Sequence, residues 1–390
     1  SSAAAAAAAA GSAPEEMVGR YDCKVGSPEK IGDSMNAYVR YAITSKNVEV
    51  QGPVIETTRR FSDFVWLHEK LTKSYPECAI PPIPEKEFNP MSKFADEFLD
   101  YRARELERFL KRVSVHPKLS VASCVGSFFN ADVEEFRQLQ QEEPKATVAT
   151  QVFSFFSTKF NAAASASLPD VFGNAVEVDV WFESKREYVE ALSTQLTELA
   201  AASNDLVARH AQMKQSYSAM ATALSSLSKI EMDSDKTIAD SFERVSTVNL
   251  ELQLLEGELS YSARVHWAER LQDYQRVVES IKDMLNRRLE SLAAYQAASK
   301  SLNSKKDALV KATGSKIPQL EAEVSKAEEK EADAKEVFDL RSASCKQELD
   351  AFERTKSNEM KLLVQRLAQM HMNHELRVLD LWKPILSDHA

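Results

Sequence analysis

Helix-breaking residues are scarce in the second half of this chain, and their scarcity constrains the fold more than any other feature. Only two glycines, Gly257 and Gly314, and two prolines, Pro318 and Pro384, occur after residue 176. Over the same region apolar residues recur at spacings of three and four, as on a helix that buries one face. These stripes run far beyond the usual helix length of roughly 8–20 residues. The pattern therefore predicts a bundle of long coiled-coil helices.

Two short segments divide this region into three helices. Residues 232–235 separate the first helix from the second, and Asp235 is a suitable N-cap. Residues 314–318 separate the second from the third, with a proline that fits the first turn. The second helix, over about residues 235–312, would be roughly 115 Å long. Such a helix cannot bury its stripe within one globular domain, so we expect the helices to fold back and to pair with a second chain.

The first part of the chain has a different texture, in which short segments alternate between apolar and polar residues. Tyr21–Val25, Tyr38–Ile43 and Val54–Phe61 have the period of two that is typical of strands. Gly26–Pro28 and Gly52–Pro53 contain turn-forming residues. The pattern predicts three strands joined by tight turns.

Helices are predicted after the third strand. Phe64 opens a helical spacing, and the proline segment Ile80–Pro84 favours an extended conformation. A further helix is predicted after Asn89-Pro90 and before His116, and a last short one near Phe129. The sequence thus predicts an α+β domain with a three-stranded antiparallel sheet and several helices.

These patterns give a division of the chain into four parts. Residues 1–16 are a low-complexity tail, and residues 17–136 form the α+β domain. Residues 137–175 read as a linker that is polar at its start and contains an amphipathic helix, and residues 176–390 form the all-α, elongated three-helix domain.

Composition excludes several classes of function. The formal net charge of −10 disfavours nucleic acid as a partner. Four scattered cysteines without a C-x-x-C pair indicate neither a zinc site nor a disulfide framework, and fit a reducing cytosol. No phosphate-loop, metalloprotease or nucleophile-elbow motif is found, so we expect neither an enzyme nor a bound cofactor or metal. No apolar run is long enough to span a membrane.

One short motif has the chemistry of a phosphate site. Arg59-Arg60-Phe61 lies where the third strand is predicted to turn into a helix. A guanidinium group at such a junction can hold a phosphate, and a neighbouring aromatic ring can cover a sugar or inositol ring. Taken alone, Arg60 would be better explained by a surface ion pair. Lys86 follows the proline segment, and Arg102 lies on the next predicted helix.

This succession resembles the phox-homology (PX) domain over about residues 17–130. The resemblance implies binding of phosphatidylinositol 3-phosphate. Carried over to this sequence, it implies that Arg60 grips the 3-phosphate and that Phe61 packs on the inositol ring. It also implies that Lys86 meets the 1-phosphate and that Arg102 hydrogen-bonds the ring hydroxyls at positions 4 and 5.

The remainder of the chain extends the resemblance. Residues 179–183 (D-V-W-F-E) and 379–382 (L-D-L-W), together with the three helices, resemble sorting nexins that join a PX to a BAR domain. Within them the chain is most similar to the retromer-associated branch, the sorting nexin one and two type with its fungal vacuolar-sorting counterpart. The resemblance implies a curvature-sensing, tubulating protein, peripheral on the cytoplasmic face of endosomes. It implies a homodimer, or a heterodimer with another PX–BAR protein, and the cargo-recognition subunits of retromer as partners.

The predicted linker contains an aromatic segment, residues 148–160. Val148, Val152, Phe155 and Phe156 share one face of a helix whose other face is polar and almost uncharged. Such a helix can lie in the lipid interface, although its phenylalanines could instead dock on the bundle. The residues expected to insert are Val152, Phe153, Phe155, Phe156 and Phe160.

Residues 300–316, around the second helix break, are locally basic. Five lysines face one acidic residue, and a BAR dimer would place this segment at its outer tip, against anionic lipids. A solvated lysine face is the alternative. The five residues are Lys300, Lys305, Lys306, Lys311 and Lys316. Further candidates for a membrane-facing surface are Arg276, Lys282, Arg287 and Arg288.

A second hypothesis describes a cytosolic scaffold or tether. The PX domain would then be a protein-binding module, and the coiled coil would separate two partners. This hypothesis predicts a dimer in solution that does not sediment with vesicles, whereas the first predicts binding that depends on membrane curvature.

Overall fold

The computed structural model describes residues 19–32, 38–85, 96–141, 177–313 and 316–387. The chain forms two compact units. The first unit contains Ser1–Asp179 and Asp283–Cys345, and the second contains Val180–Lys282 and Lys346–Ala390.

The first unit contains an antiparallel sheet of three strands in chain order. The strands are β1 (Tyr21–Ile31), β2 (Tyr38–Asn47) and β3 (Val54–Arg60). Alternate residues point inward, as the period of two requires, and Tyr41 and Ile43 are completely buried. The three-stranded antiparallel sheet is confirmed.

The turn predicted at Gly26–Pro28 is wrong, because β1 continues through these residues. The pairing between β1 and β2 instead shifts its register between Val25 and Pro28. Proline has no N–H to donate to the neighbouring strand, and such residues are tolerated at bulges and on edge strands. β1 is an edge strand of this sheet, so the chain accommodates Pro28 without turning.

Among the described residues, four helices follow the sheet before residue 142. They are α1 (Phe61–Ser74), α2 (Asp96–Val115), α3 (Ser123–Asn130) and α4 (Val133–Gln141). Their apolar faces and the inner face of the sheet enclose one core. Its largest completely buried apolar side chains include Tyr41, Phe64, Phe109, Phe128 and Phe129.

Long helices form the described residues from 180 onward. They are α5 (Val180–Glu231), α6 (Lys236–Ala263), α7 (Glu269–Val310) and α8 (Ile317–Ser387). A π-helical turn, Arg264–Ala268, joins α6 to α7, so the predicted second helix is continuous apart from this turn.

The predicted cap at the start of α6 is confirmed. The carboxylate of Asp235 accepts hydrogen bonds from the backbone N–H groups of Thr237 (2.9 Å) and Ile238 (3.2 Å). These donors have no partner within the helix, so the cap fixes where the second long helix begins.

In the second unit, α5 runs antiparallel to α6 and to the start of α7. Successive cross-helix bonds show the register: Ser260 to the carbonyl of Val207 (3.1 Å), then Trp267 to Ser203 (2.8 Å). The end of α8 packs beside them, where the buried Glu256 lies 2.7 Å from His210 and 3.4 Å from His374.

In the first unit, α7 and α8 pair antiparallel. The rings of Tyr295 and Phe338 stack with centroids 6.0 Å apart, and Lys306 forms a 2.8 Å ion pair with Glu328. Within the described residues, none of the helices is apolar over a stretch long enough to cross a bilayer.

Candidate functional site

Arg59 is a buried structural residue at the end of β3. Its guanidinium group donates to the carbonyl oxygen of Phe128 (2.8 and 3.1 Å) and to that of Ala131 (2.6 Å). The group also lies 4.3 Å from the centre of the Phe136 ring. These contacts tie β3 to the end of α3 and to α4, so Arg59 fixes the backbone from which the next residues project.

Burial lowers the pKa of Arg59 to about 10, although Asp63 and Asp132 oppose this change. In the sequence, Arg59 and Arg60 stand side by side in one motif, and their different roles are not evident from the motif alone. Strand alternation contains the signal, because Arg59 shares the inward face with Thr57, whereas Arg60 lies on the outward face.

Arg60 is exposed on the outer side of β3. Its guanidinium carbon lies 3.6 Å from the centre of the Tyr38 ring, and its backbone N–H donates a 2.7 Å bond to Asp63. Since α1 begins at the next residue, Arg60 stands at the positive end of a helix dipole. No carboxylate pairs with its side chain among the residues that the structure describes. The group is therefore available to an anion.

Phe61 and Arg102 are brought together by α1 and α2. Arg102 is only 4% exposed, and its guanidinium carbon lies 4.4 Å from the ring centre of Phe61 and 4.3 Å from that of Phe98. It also donates a 3.4 Å hydrogen bond to the carbonyl of Glu85, at the end of the proline segment. Burial raises the pKa of Tyr41, and the nearby Arg102 opposes that rise.

Two groups of predicted residues lie outside the described part of the chain. Lys86 directly follows Glu85, the last described residue of the proline segment. The residues predicted to insert into lipid all fall in the undescribed range 142–176, namely Val152, Phe153, Phe155, Phe156 and Phe160. Their roles remain predictions.

The predicted basic tip lies where α7 ends and α8 begins. Lys300, Lys306, Lys311 and Lys316 are exposed, and Lys305 is half-buried. The ion pair of Lys306 with Glu328 is itself exposed to solvent, so it competes only weakly with a stronger anion.

Two of the four further basic candidates, Arg276 and Lys282, form ion pairs within the second unit. Lys282 lies 2.9 Å from Glu190, and Arg276 lies 3.9 Å from Asp273. Both side chains pair with neighbouring acids within the bundle, which reduces the positive charge that they could present to a membrane.

The other two basic candidates, Arg287 and Arg288, make hydrogen bonds and an ion pair within the first unit. Arg287 donates to the carbonyl oxygens of Pro76 (2.7 Å) and Cys78 (2.9 Å). Arg288 is 3% exposed and pairs with Glu177. Burial alone would raise the pKa of Glu177, but hydrogen bonds from Arg288 and backbone N–H groups outweigh this effect and lower it. The structure therefore assigns both arginines a structural role.

An apolar stripe on α5 is left about half exposed by the part of the chain that the structure describes. Its members are spaced by seven residues and are each 41–52% exposed. A regular apolar stripe of this kind is typical of a helix that packs against another helix. The stripe consists of Leu199, Leu206, Met213, Met220 and Leu227.

Comparison with known proteins gives two family matches. The model for the Vps5 C-terminal-like family matches residues 156–388, and the PX domain model matches residues 50–132. The first of these covers more than half of the chain.

Full-length relatives are similar over nearly the whole chain. Sorting nexin-1 of Mus musculus is 27% identical over 96% of this chain and 73% of its own length. Sorting nexin 1 of Arabidopsis thaliana is 26% identical over 93% of this chain and 90% of its own. Vacuolar protein sorting-associated protein vps5 of Schizosaccharomyces pombe is 23% identical over 96% of this chain and 66% of its own.

A solved structure shares the fold. The cryo-EM structure of the SNX-BAR Mvp1 tetramer superposes with a TM-score of 0.64, covering 93% of this chain and 99% of that chain. At 18% identity, this likeness concerns the fold alone.

Proposed function

Since the chain belongs to the family of sorting nexins and Vps5, in which a BAR domain follows a PX domain, we propose that it is a dimeric peripheral membrane protein of endosomal sorting. It binds phosphatidylinositol 3-phosphate through its PX domain and senses or imposes curvature through its long helices. The residues that contact the headgroup are Arg60, Phe61, Lys86 and Arg102.

The contact between Phe61 and Arg102 is the observation that carries the lipid-binding proposal. A hydrogen-bonding cation beside an aromatic face matches an inositol ring, which presents hydroxyl groups at its edge and an apolar face. Arg60 adds an exposed guanidinium group at the start of α1, where the helix dipole also favours a phosphate. Lys86, which follows a carbonyl that Arg102 reaches, completes the proposed clamp.

The apolar stripe of α5 supports dimerisation. Five residues at seven-residue intervals would lose contact with water if a second chain packed against them. The second chain is either another copy of this protein or another PX–BAR protein.

Membrane binding adds several weak contacts on one surface. A dimer presents two headgroup clamps, two predicted aromatic segments in residues 148–160 and two sets of tip lysines. Contacts linked in this way act at a high effective concentration, so together they bind more tightly than any one of them alone. A curved bilayer lets more of them engage simultaneously.

The names of the relatives support a place in endosomal transport. Two of them are sorting nexins, and the third is a vacuolar protein sorting-associated protein. We therefore place the chain on the cytoplasmic face of endosomes, with the cargo-recognition subunits of retromer as partners.

Vesicle binding and tubulation test the proposal. Wild-type protein is expected to bind and tubulate vesicles that contain phosphatidylinositol 3-phosphate, and to bind vesicles with unphosphorylated phosphatidylinositol much less. The double variant Arg60→Ala, Lys86→Ala is expected to lose this preference. Lys24→Ala, Lys46→Ala is the matched control, since both lysines are exposed on the same sheet.

Two outcomes would overturn the proposal. Equal tubulation by wild type and the Arg60, Lys86 variant would remove the lipid-specific part. A stable dimer that binds vesicles of no composition would favour the scaffold hypothesis instead.

A further inference from the structure

A cavity of about 230 Å³ opens where the outer face of the sheet meets the start of α1 and one side of α4. β2 contributes Tyr38 and Arg40 to its wall, β3 contributes Arg60, and α4 contributes Arg137 and Gln140. Besides Arg59, which is already hydrogen-bonded to backbone carbonyl groups, the cavity therefore collects three guanidinium groups from three separate elements.

Two of these arginines oppose each other directly. Arg40 and Arg60 are partners in the register between β2 and β3. The Cβ atoms of directly opposed residues are roughly 5 Å apart, and like charges at such positions repel each other. An anion between them would convert this repulsion into attraction. Arg137 adds a third positive charge to the same cavity.

The N–H groups of Arg40 and Arg137 have hydrogen-bonding capacity that remains available to a ligand. The Nε–H group of Arg40 is buried and has no hydrogen-bond acceptor within the described ranges. Arg40 pairs with Glu29 at 3.6 Å and Arg137 with Glu134 at 3.0 Å, and both acids are mostly exposed. Exposed ion pairs contribute little to stability, so a better anion can displace them.

One carboxylate, that of Asp63, also lines the cavity, but it is already engaged. It accepts a 2.7 Å bond from the backbone N–H of Arg60 and a 3.2 Å bond from the side chain of Gln140. The wall therefore keeps an excess of positive charge, with four arginines, including the hydrogen-bonded Arg59, against one acid.

The size and chemistry of the cavity define its ligand. At about 230 Å³ it is smaller than most pockets for drug-sized molecules, which begin at about 300 Å³. Guanidinium groups suit phosphate oxygens because their planar N–H forks match them. We propose that this cavity is a second phosphate site, in which Arg40, Arg60 and Arg137 bind a phosphate monoester.

This site shares Arg60 with the proposed headgroup clamp but otherwise lies beyond it. Phe61 and Arg102 do not line the cavity, and the clamp uses neither Arg40 nor Arg137. The same phosphate chemistry is offered by the headgroup of phosphatidic acid and by free phosphate, so the experiment has one arm for each source.

The soluble arm measures thermal unfolding of the full chain in inorganic phosphate, against sodium chloride of equal ionic strength. Phosphate is expected to raise the unfolding midpoint of the wild type. In the variant Arg40→Gln, Arg137→Gln, the half-saturating phosphate concentration is expected to rise at least tenfold. Lys24→Gln, Lys46→Gln removes the same charge from the far end of the sheet and is expected to respond like the wild type.

The vesicle arm uses phosphatidylcholine vesicles with and without phosphatidic acid. If the lipid is the source, the wild type is expected to bind the phosphatidic acid vesicles at least tenfold more tightly than the Arg40, Arg137 variant. Equal vesicle binding with different responses to inorganic phosphate would identify free phosphate as the ligand. Equal behaviour of wild type and variant in both arms would overturn the second site.

The variant Lys86→Ala separates this inference from the proposed function. This variant is expected to lose binding to vesicles that contain phosphatidylinositol 3-phosphate. Its thermal stabilisation by inorganic phosphate is expected to equal that of the wild type. If the wild type did not bind those vesicles but was stabilised by inorganic phosphate, the proposed function would be contradicted and the second site would still be supported.

Discussion

The guanidinium group of Arg287, on α7, donates a 2.7 Å hydrogen bond to the carbonyl oxygen of Pro76, which follows α1. A second bond, of 2.9 Å, reaches the carbonyl of Cys78. Burial lowers the pKa of Arg287, the usual effect on a cation that is removed from water. Pro76 and Cys78 precede the proline segment that leads to Glu85, so one arginine connects a long helix to the start of that segment.

Replacement of Arg287 by alanine is expected to loosen this segment. Two buried carbonyl groups would lose a charged donor, at a cost of about 3 kcal/mol in the free energy of unfolding. Hydrogen exchange of residues 77–80 is expected to accelerate, and urea unfolding measures the stability. Arg287→Lys keeps the charge without the two-pronged geometry, so an intermediate effect is expected. Unchanged exchange in Arg287→Ala would contradict the assigned role.

Arg59 and Arg60 are expected to respond in opposite ways to replacement by alanine. Arg59→Ala leaves the carbonyl groups of Phe128 and Ala131 without their donor, so a loss of about 4 kcal/mol is expected. Arg60→Ala removes an exposed side chain, and its stability is expected to stay within about 0.5 kcal/mol of the wild type. Chemical denaturation measures both. Similar destabilisation by the two variants would contradict the assignment of one to folding and the other to ligand binding.

A charge within the apolar stripe of α5 is expected to separate the dimer. Leu206→Glu would place a carboxylate in the proposed interface, where it would have to lose its hydration. Light scattering is expected to show a fall from about twice 43.7 kDa to a single chain, with helix content retained. Asn204→Glu adds the same charge on another face of α5 and serves as the control. If Leu206→Glu kept the dimeric mass, the interface would lie elsewhere.

Stability is expected to fall with rising pH because of Cys23. Burial raises the pKa of its thiol to about 12, from 9.0. Between these values the unfolded chain releases a proton that the folded chain retains, so alkali favours unfolding. At pH 10 the expected loss is about 1 kcal/mol. Urea unfolding at pH 8 and pH 10 is expected to show a smaller loss in Cys23→Ala than in wild type. Equal losses would contradict the effect.

Much of the fold could be predicted, because local patterns determine it. The helix breaks depend on Asp235 and Pro318, whose preferences act within one turn. The bulge at Pro28 could not be predicted, because a proline reads as a turn unless the neighbouring strand is known. The π-helical turn at Arg264–Ala268 was not predicted either, because no single residue marks it and it shows only as a change of phase between the apolar residues before and after it.

The candidate site was predicted less completely. The order of its residues identified Phe61 and Arg102, which the structure brings into contact. Sequence alone could not show that Arg287 faces carbonyl groups rather than solvent, because its partners lie more than 200 residues away. The sequence did not predict that Arg40 and Arg137 line one cavity, for the same reason. Only the sheet register and the position of α4 bring them together.

The π-helical turn between α6 and α7 makes the chain one residue longer than an unbroken α-helix would need. Each residue of an α-helix advances by about 100° around the axis. Counted at that rate, Leu271, Tyr274 and Val278 would point about 100° away from Leu252, Leu255 and Leu259, yet all six are buried. The extra residue in the π-helical turn brings the buried residues of α7 back onto the same side of the helix as those of α6. Deleting one residue within 264–268 should therefore preserve the alignment of both stripes, whereas a deletion elsewhere in the same helix would turn one stripe away from its neighbours.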